Sequence, residues 1–293
     1  MLEYFDSVCN FFTQQAPSLI NIWNIIKDIA NSNFTAALAG AMIGALTANR
    51  ISKKIQNKDE LKKEFLQLNA AISLATATLT ISLSLKINIV KELKTSYSDG
   101  LKKRKDHECG IENGTIDPET PFKLKVNLSV LQNISPPISA IQDIVFNRLS
   151  VPARGIAATA ALSSAIENLN SALSRRNEIL QTFNKNEFPE GATFEDFYFG
   201  LTYGDRQTNT EYGDIITAIY TYTNDVIFFS TKLCDDLQSH ALTLNTHYKT
   251  QTKEKPPIVT MYNIPPKMRA DFIPADKEYK SWLSGFTTSS SMQ

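Results

Sequence analysis

The chain has 293 residues, of which 42% are hydrophobic and 20% charged, and its 30 basic residues balance 30 acidic ones. Such a length accommodates two ordinary domains, or a membrane-proximal helical layer and a globular layer. The neutral balance argues against a dedicated nucleic-acid binder, so no direct sequence-specific nucleic-acid binding is expected. Cys9, Cys109 and Cys234 lie far apart without a CxxC pair. This pattern favours free thiols in a reducing compartment over a disulfide framework or a cysteine-based zinc site.

Two short amphipathic helices are predicted at the N-terminus, over residues 2–15 and 19–29. No basic region precedes an early apolar run, so a secretory signal peptide is not expected. The second helix carries Trp23 on a broad apolar face. It suits a membrane interface and the core of a soluble fold equally well.

The segment from Phe34 to Ala48 is uncharged and rich in small residues. On a helix, four small residues repeat at every fourth position and form one ladder: Ala36, Gly40, Gly44 and Ala48. A small-residue ladder lets a second backbone approach closely, as in associating membrane helices. The pattern predicts a membrane helix that packs against copies of itself; the alternative is a buried Gly/Ala-rich helix in a soluble core.

The length of this segment makes the predicted span marginal. Fifteen helical residues cover about 22 Å, and residues 29–51 cover about 34 Å, against a hydrocarbon layer of about 30 Å. Six basic residues follow, with Arg50, Lys53 and Lys54 expected at the membrane interface. The positive-inside rule then places the N-terminus outside and the main body in the cytoplasm.

A long helix is predicted to continue from residue 51 to about residue 97, followed by a polar loop that opens with residues 102–105. Residues 70–85 are uncharged and rich in Ala, Ser, Thr and Leu, so we expect neighbouring elements to enclose them. A second membrane span is the alternative here, but six Ser and Thr residues make the segment a poor hydrocarbon helix.

Residues 122–130 alternate apolar and polar side chains and predict a strand paired with residues 258–262, although residues 123–134 also suit a helix. Further helices are expected over residues 138–149, 153–183 and 211–250. The fold class is therefore mainly α, with an N-terminal membrane helix, a long-helix cytoplasmic bundle and at most a small β element. Four parts are expected: residues 1–51, with the amphipathic N-terminus and membrane helix; 52–105, a connecting helix; 106–252, the bundle; and 253–293, a proline-rich extended tail with a short terminal helix.

Catalytic and metal-binding patterns are weak in this chain. His240 and His247 lie seven residues apart with Asp236 nearby, whereas metal-binding helices favour an i,i+4 pair. Acidic residues Glu195 and Asp196 are typical of the first turn of a helix. We therefore predict no enzymatic activity, no metal and no cofactor.

Sequence patterns typical of protein-interaction surfaces are clearer in this chain than catalytic or metal-binding patterns. Aromatic residues cluster between residues 188 and 203, and an extended proline-rich segment such as the tail docks readily along a partner. The predicted partner-binding residues are Phe194, Phe197, Tyr198, Phe199, Tyr262, Met268, Arg269 and Phe272. The alternative is that most of these side chains pack onto the protein's own helices.

Residues 33–95 resemble a widespread bacterial group of single-span membrane proteins. The shared features are the small-residue helix, its basic exit and a long helix with an Asn-Ala-Ala-Ile element, here Asn69 to Ile72, closed by Lys86. The layout is similar to that of membrane effectors of anti-phage systems. The resemblance implies a self-associating inner-membrane protein that a cytoplasmic protein or nucleoprotein partner releases to perturb the membrane. A passive membrane scaffold and a hydrolase with an unfamiliar site are the alternatives.

Overall fold

The computed structural model describes the backbone of residues 33–286 and the side chains of residues 41–286. The predicted amphipathic helices over residues 2–15 and 19–29 lie outside the described residues. The helices are α1 (Asn33–Leu85), a π-helical turn (Lys86–Val90), α2 (Lys91–Glu112), α3 (Ile138–Asn147), α4 (Ala153–Lys185), α5 (Phe194–Phe199), α6 (Glu211–Thr252), α7 (Pro266–Phe272), a 3₁₀ turn (Asp276–Tyr279) and α8 (Lys280–Ser284). Strands β1 (Thr202–Tyr203) and β2 (Gln207–Thr208) form a small antiparallel hairpin. The prediction of a mainly α protein with at most a small β element is confirmed.

The chain divides into two compact units, Met1–Glu60 and Leu61–Gln293. In the second unit, α4 and α6 pack along each other. Their facing residues recur at helical spacing, with Leu162 and Leu169 on α4 and Val226 and Leu233 on α6 fully buried. This periodicity gives each helix one apolar stripe, which is buried against the other.

Helix α1 contributes to the same core from Leu61 onward. Phe65, Leu68 and Ile72 are buried there, and the ring of Phe65 meets that of Tyr248 edge-on at 5.7 Å. A second cluster, formed largely by aromatic rings, lies where α2, α4, α5 and the start of α6 meet.

Helix α2 extends to Glu112, so the predicted end of the helix near residue 97 and the polar loop from residue 102 are wrong. Gly100 lies inside this helix. A Cβ at Gly100 would meet the ring of Phe199 at 3.2 Å. The glycine therefore allows the helix to approach the aromatic cluster closely rather than ending the helix.

Residues 121–137 are extended but belong to no strand, so their predicted pairing with residues 258–262 is wrong. The alternation in burial is real, because Phe122, Leu124, Val126 and Leu128 pack against the aromatic cluster. The backbone partners are side-chain amides of α4. Asn177 accepts from the N–H of Leu131 at 3.0 Å and donates to its carbonyl at 2.7 Å.

Asn170 holds Ile134 in the same way, with both bonds at 2.9 Å. We call such a two-way amide contact an asparagine clamp. The two clamps match in spacing, because seven helical residues rise about 10.5 Å and three extended residues span about 10 Å. Side-chain amides on one face of α4 thus bond to backbone groups of the extended segment that a neighbouring strand would otherwise satisfy.

A third asparagine clamp holds the C-terminal segment. Asn69 of α1 donates to the carbonyl of Ile258 at 3.0 Å and accepts from the N–H of Thr260 at 2.8 Å. Residues 258–262 are therefore extended, as predicted, but lie against α1 rather than against another strand.

Replacing Asn177 with Ala should remove both bonds to Leu131 and destabilise the protein by about 1–3 kcal/mol, because a partly buried N–H and carbonyl lose their partners. The measurement is chemical denaturation of the variant and wild type. The control is Asn133→Ala, which removes only an exposed contact with Ser174. Equal stability of Asn177→Ala and wild type would contradict the clamp.

Candidate functional site

The best candidate site in the first unit is the described part of the small-residue helix. Met42, Ile43 and Leu46 are 64%, 65% and 63% exposed. Nothing lies within 4 Å of the position that a Cβ on Gly44 would occupy. The hydroxyl of Thr47 donates to the carbonyl of Ile43 at 2.7 Å, so this side chain is satisfied within the helix. Such a surface suits lipid or another apolar helix better than water.

Of the predicted packing ladder, Gly44 and Ala48 lie on an exposed helical surface. The backbone at Ala36 and Gly40 is helical, but their side-chain environment lies outside the described residues. The predicted interface cations Arg50, Lys53 and Lys54 are all exposed and follow the ladder directly.

Residues 70–85 bury one face within the second unit, whereas Ser73, Thr80 and Ile81 on the other face are exposed, so the predicted enclosure holds for one face only. Ala71, Ile72, Ala75, Leu79 and Leu83 are buried, and so are the polar residues Thr78 and Ser82. Hydroxyls along this stretch donate to the carbonyl four residues earlier, at 3.0 Å for Thr78 and 2.9 Å for Ser82. This bonding explains how Ser and Thr are tolerated in the core.

One described helix, spanning Ala41–Glu112, is long and apolar enough to cross a membrane. Length and composition alone do not separate a membrane span from a core helix. The two parts of this helix differ in surroundings, since residues 41–51 are exposed all round and residues 70–85 bury one face.

The aromatic residues proposed for partner binding pack within the second unit. Tyr198 and Phe199 are buried, and Phe194 meets the ring of Phe183 at 5.1 Å. Phe197 approaches Tyr203 at 5.4 Å. Partner binding through these residues stays a prediction, and of the four only Phe194 and Phe197 are partly exposed.

Glu195 and Asp196 lie in the first turn of α5, and each has a structural partner. Asp196 closes a capping box with Thr193 at the start of α5, and Glu195 lies 3.3 Å from the guanidinium of Arg104. The helix-start explanation of these acidic residues is confirmed.

The C-terminal tail covers a small apolar cluster. Tyr262, Met268 and Phe272 pack against Leu79, Leu83 and Ile227. Arg269 lies 3.5 Å from Asp235 and keeps about half of its side chain exposed. Ile258 is 90% exposed and Met261 is 55% exposed, so these two side chains form exposed apolar surface on the tail.

Further along, Tyr279 stacks on Phe228 with ring centroids 3.7 Å apart and donates to Asp225 at 2.6 Å. Lys86, in the π-helical turn, donates to the carbonyl of Phe272 at 2.8 Å. Burial lowers the pKa of Lys86. The tail is therefore fixed to the helices at several points.

The histidine cluster does not assemble a metal site. His240 lies 3.0 Å from Glu64, and Asp236 is bound by Arg154 through a bidentate contact. His247 lies near Gln251 at 3.5 Å. Among the described residues, no group of three or more His, Cys, Asp or Glu side chains is placed to hold a metal ion.

Cys234 is fully buried, and burial raises its pKa to about 12. Its sulfur lies 3.9 Å from the hydroxyl of Thr76. A thiol held protonated at neutral pH is a poor nucleophile, so Cys234 acts as a buried apolar residue of the core.

One polar group was not anticipated from sequence. Arg176 of α4 is 1% exposed, and its guanidinium donates to the carbonyls of Ser129 and Asn127 at 2.8 and 3.0 Å. Its position beside Arg175 resembles an ordinary charged helix surface. The helical spacing offers one signal, since Arg176 lies between the buried residues Leu173 and Leu180.

No protein-family model matches this chain, and no curated protein or solved structure matches it either.

The Glu64–His240 contact gives a pH-dependent prediction. The hydrogen bond from His240 is the main cause that lowers the pKa of Glu64 below its usual 4.5. A carboxyl with a lowered pKa stabilises the fold above its unfolded-state pKa, and this stabilisation is lost as the pH falls through the folded-state value. Glu64→Gln should therefore lower the melting temperature at pH 7, and the difference should shrink below about pH 4.

The control is Glu167→Gln, which changes an exposed carboxyl of α4. It should leave the melting temperature close to that of wild type at both pH values. A Glu64→Gln effect that stays constant from pH 7 to below about pH 4 would contradict the role given to Glu64.

Proposed function

We propose that this protein is a membrane-anchored, self-associating effector of the bacterial inner membrane. A cytoplasmic protein or nucleoprotein partner would release or trigger it, and the released form would perturb the bilayer, in the setting of anti-phage defence. The observation that carries the proposal is the exposed apolar surface of residues 41–48, which combines large side chains with a small-residue ladder. The defence setting depends on the resemblance in layout alone.

Two faces of the helix support self-association. At about 100° per residue, Met42 and Leu46 lie opposite Gly44 and Ala48. The face with Gly44 and Ala48, called the small face, lets a second helix approach closely. Within lipid there is no hydrophobic driving force between helices, so van der Waals packing at this face would hold them together. The large face suits lipid chains. The marginal length of the span favours several copies over a single helix.

The exposed cations after the ladder support the proposed orientation. Arg50, Lys53 and Lys54 follow the apolar segment within one or two turns. Basic residues next to a span are retained on the cytoplasmic side and are attracted by anionic lipid headgroups. Residues from Arg50 onward would then lie in the cytoplasm, where a partner can reach them.

A passive membrane scaffold is the second candidate, and the exposed apolar residues Ile258 and Met261 favour it. Deletion of the whole tail would not test it cleanly, because the tail covers Leu79, Leu83 and Ile227. Ile258→Asp with Met261→Asp changes only the exposed surface. Under the scaffold hypothesis these changes lose the partner, and overproduction of the wild type leaves the membrane potential intact.

The effector proposal predicts a graded loss of toxicity at the small face. Gly44→Leu places a bulky side chain where a second backbone must approach, so it should abolish growth arrest and depolarisation on induction. Gly44→Ala should have a smaller effect. Membrane-potential dyes measure the outcome in cells, and circular dichroism confirms that the cytoplasmic body is folded.

The matched control is Met42→Leu, which keeps an apolar side chain of similar size on the opposite face. It should behave as wild type. A Gly44→Leu protein that is produced normally and depolarises cells as fast as wild type would refute packing through this face.

A further inference from the structure

The buried guanidinium of Arg176 lacks the partner that a buried charge ordinarily requires. Its two bonds go to the neutral carbonyls of Ser129 and Asn127, and its Nε atom has no hydrogen-bond partner. Among the described ion pairs, Arg176 meets no carboxylate. A buried cation without a counter-charge is costly, so this site is one that an anion would stabilise.

The hydroxyl of Tyr212, which the guanidinium of Arg176 influences, supplies no negative charge either. Burial raises the pKa of Tyr212, although the nearby guanidinium of Arg176 opposes the rise. Burial likewise raises the pKa of Tyr198. Both phenols are therefore neutral at physiological pH and leave the charge of Arg176 uncompensated.

A cavity of about 240 Å³ opens beside Arg176. Asn88 and Ile89 of the π-helical turn form part of its wall, as do Tyr198 and the extended segment at Val130. A π-helical turn is rare and frequently lies at a functional site. The volume is below the range of about 300–1,000 Å³ typical of pockets for drug-sized ligands, so the cavity suits a small molecule.

The donors that remain on Arg176 favour a planar anion. A guanidinium has five N–H groups: two donate to the carbonyls of Ser129 and Asn127, the Tyr212 hydroxyl lies beside the same guanidinium, and Nε–H has no partner. The edge formed by Nε and the adjacent terminal nitrogen matches the two oxygens of a carboxylate.

The other residues that line the cavity indicate the chemistry of the ligand beyond its anionic group. Ile89, Leu93, Val130 and Leu131 are apolar, and Val130 and Ile89 are exposed at the mouth. Glu92 lines the same cavity and is exposed. A negative residue there disfavours a ligand with several negative charges, because like charges repel.

We propose that this cavity binds a small monocarboxylate with a short apolar body, with the carboxylate held by the side-on edge of Arg176. The apolar body lies against Ile89, Val130 and Leu131. The ligand joins the π-helical turn, the extended segment and α4. The site belongs to the second unit and does not depend on membrane anchoring.

The test is isothermal titration of the full-length chain, in neutral detergent, with hexanoate as the probe. Hexanamide, which has the same shape without charge, and inorganic phosphate are titrated in parallel. Hexanoate should bind at least about tenfold tighter than hexanamide, since charge-assisted bidentate bonds exceed neutral ones. Equal affinity for hexanoate and hexanamide would overturn the proposal.

Variants separate binding at this cavity from binding elsewhere. Arg176→Lys keeps the charge but loses the fork, so it should weaken hexanoate binding about tenfold or more. Because Arg176 also holds Ser129 and Asn127, this variant must first show a native melting transition. Glu92→Gln removes the mouth charge from an exposed position and should strengthen hexanoate binding by about threefold or more.

Glu112→Gln on the same helix, α2, is the matched control and should leave the affinity unchanged. Unchanged hexanoate affinity in Glu92→Gln would place the binding elsewhere and refute the site. Tighter binding of inorganic phosphate than of hexanoate would assign Arg176 to a phosphate-bearing ligand and overturn the monocarboxylate proposal.

Discussion

The second unit depends on satisfying the backbone of extended segments that have no strand beside them. An N–H or carbonyl buried without a partner costs about as much as a lost hydrogen bond. The amides of Asn170 and Asn177 meet this need for residues 131 and 134, and Asn69 does so for residues 258–260. Seven residues of a helix and three residues of an extended chain both span about 10 Å, so two asparagines on one helix face can hold an extended chain in register.

This arrangement also determines where the buried charge lies. The segment held by Asn177 presents the carbonyls of residues 127 and 129 to Arg176. The cavity beside the guanidinium is bounded by the same segment and by the π-helical turn. The clamps that replace strand pairing thus place a buried positive charge beside a cavity of the second unit.

Helix boundaries in the second unit were largely predictable. Pro137 and Pro152 precede α3 and α4, and periodic apolar residues placed α4 and α6 within two residues of their observed bounds. The alternation over residues 122–130 correctly indicated half-burial. It was wrong about pairing, because an asparagine on a helix surface looks the same in sequence whether it faces water or a backbone. Arg176 escaped prediction for the same reason, since burial of a charge depends on tertiary neighbours.

The proposed function rests on the small-residue helix. Its apolar side chains are exposed in the described residues, and lipid or another apolar helix would cover them. The most direct test is flotation of the full-length chain, made without detergent, with liposomes of inner-membrane lipid composition. A membrane-anchored chain should float with the liposomes and resist extraction by alkaline carbonate. A chain that stays at the bottom of the gradient as a soluble protein would contradict the membrane anchor and the effector function built on it.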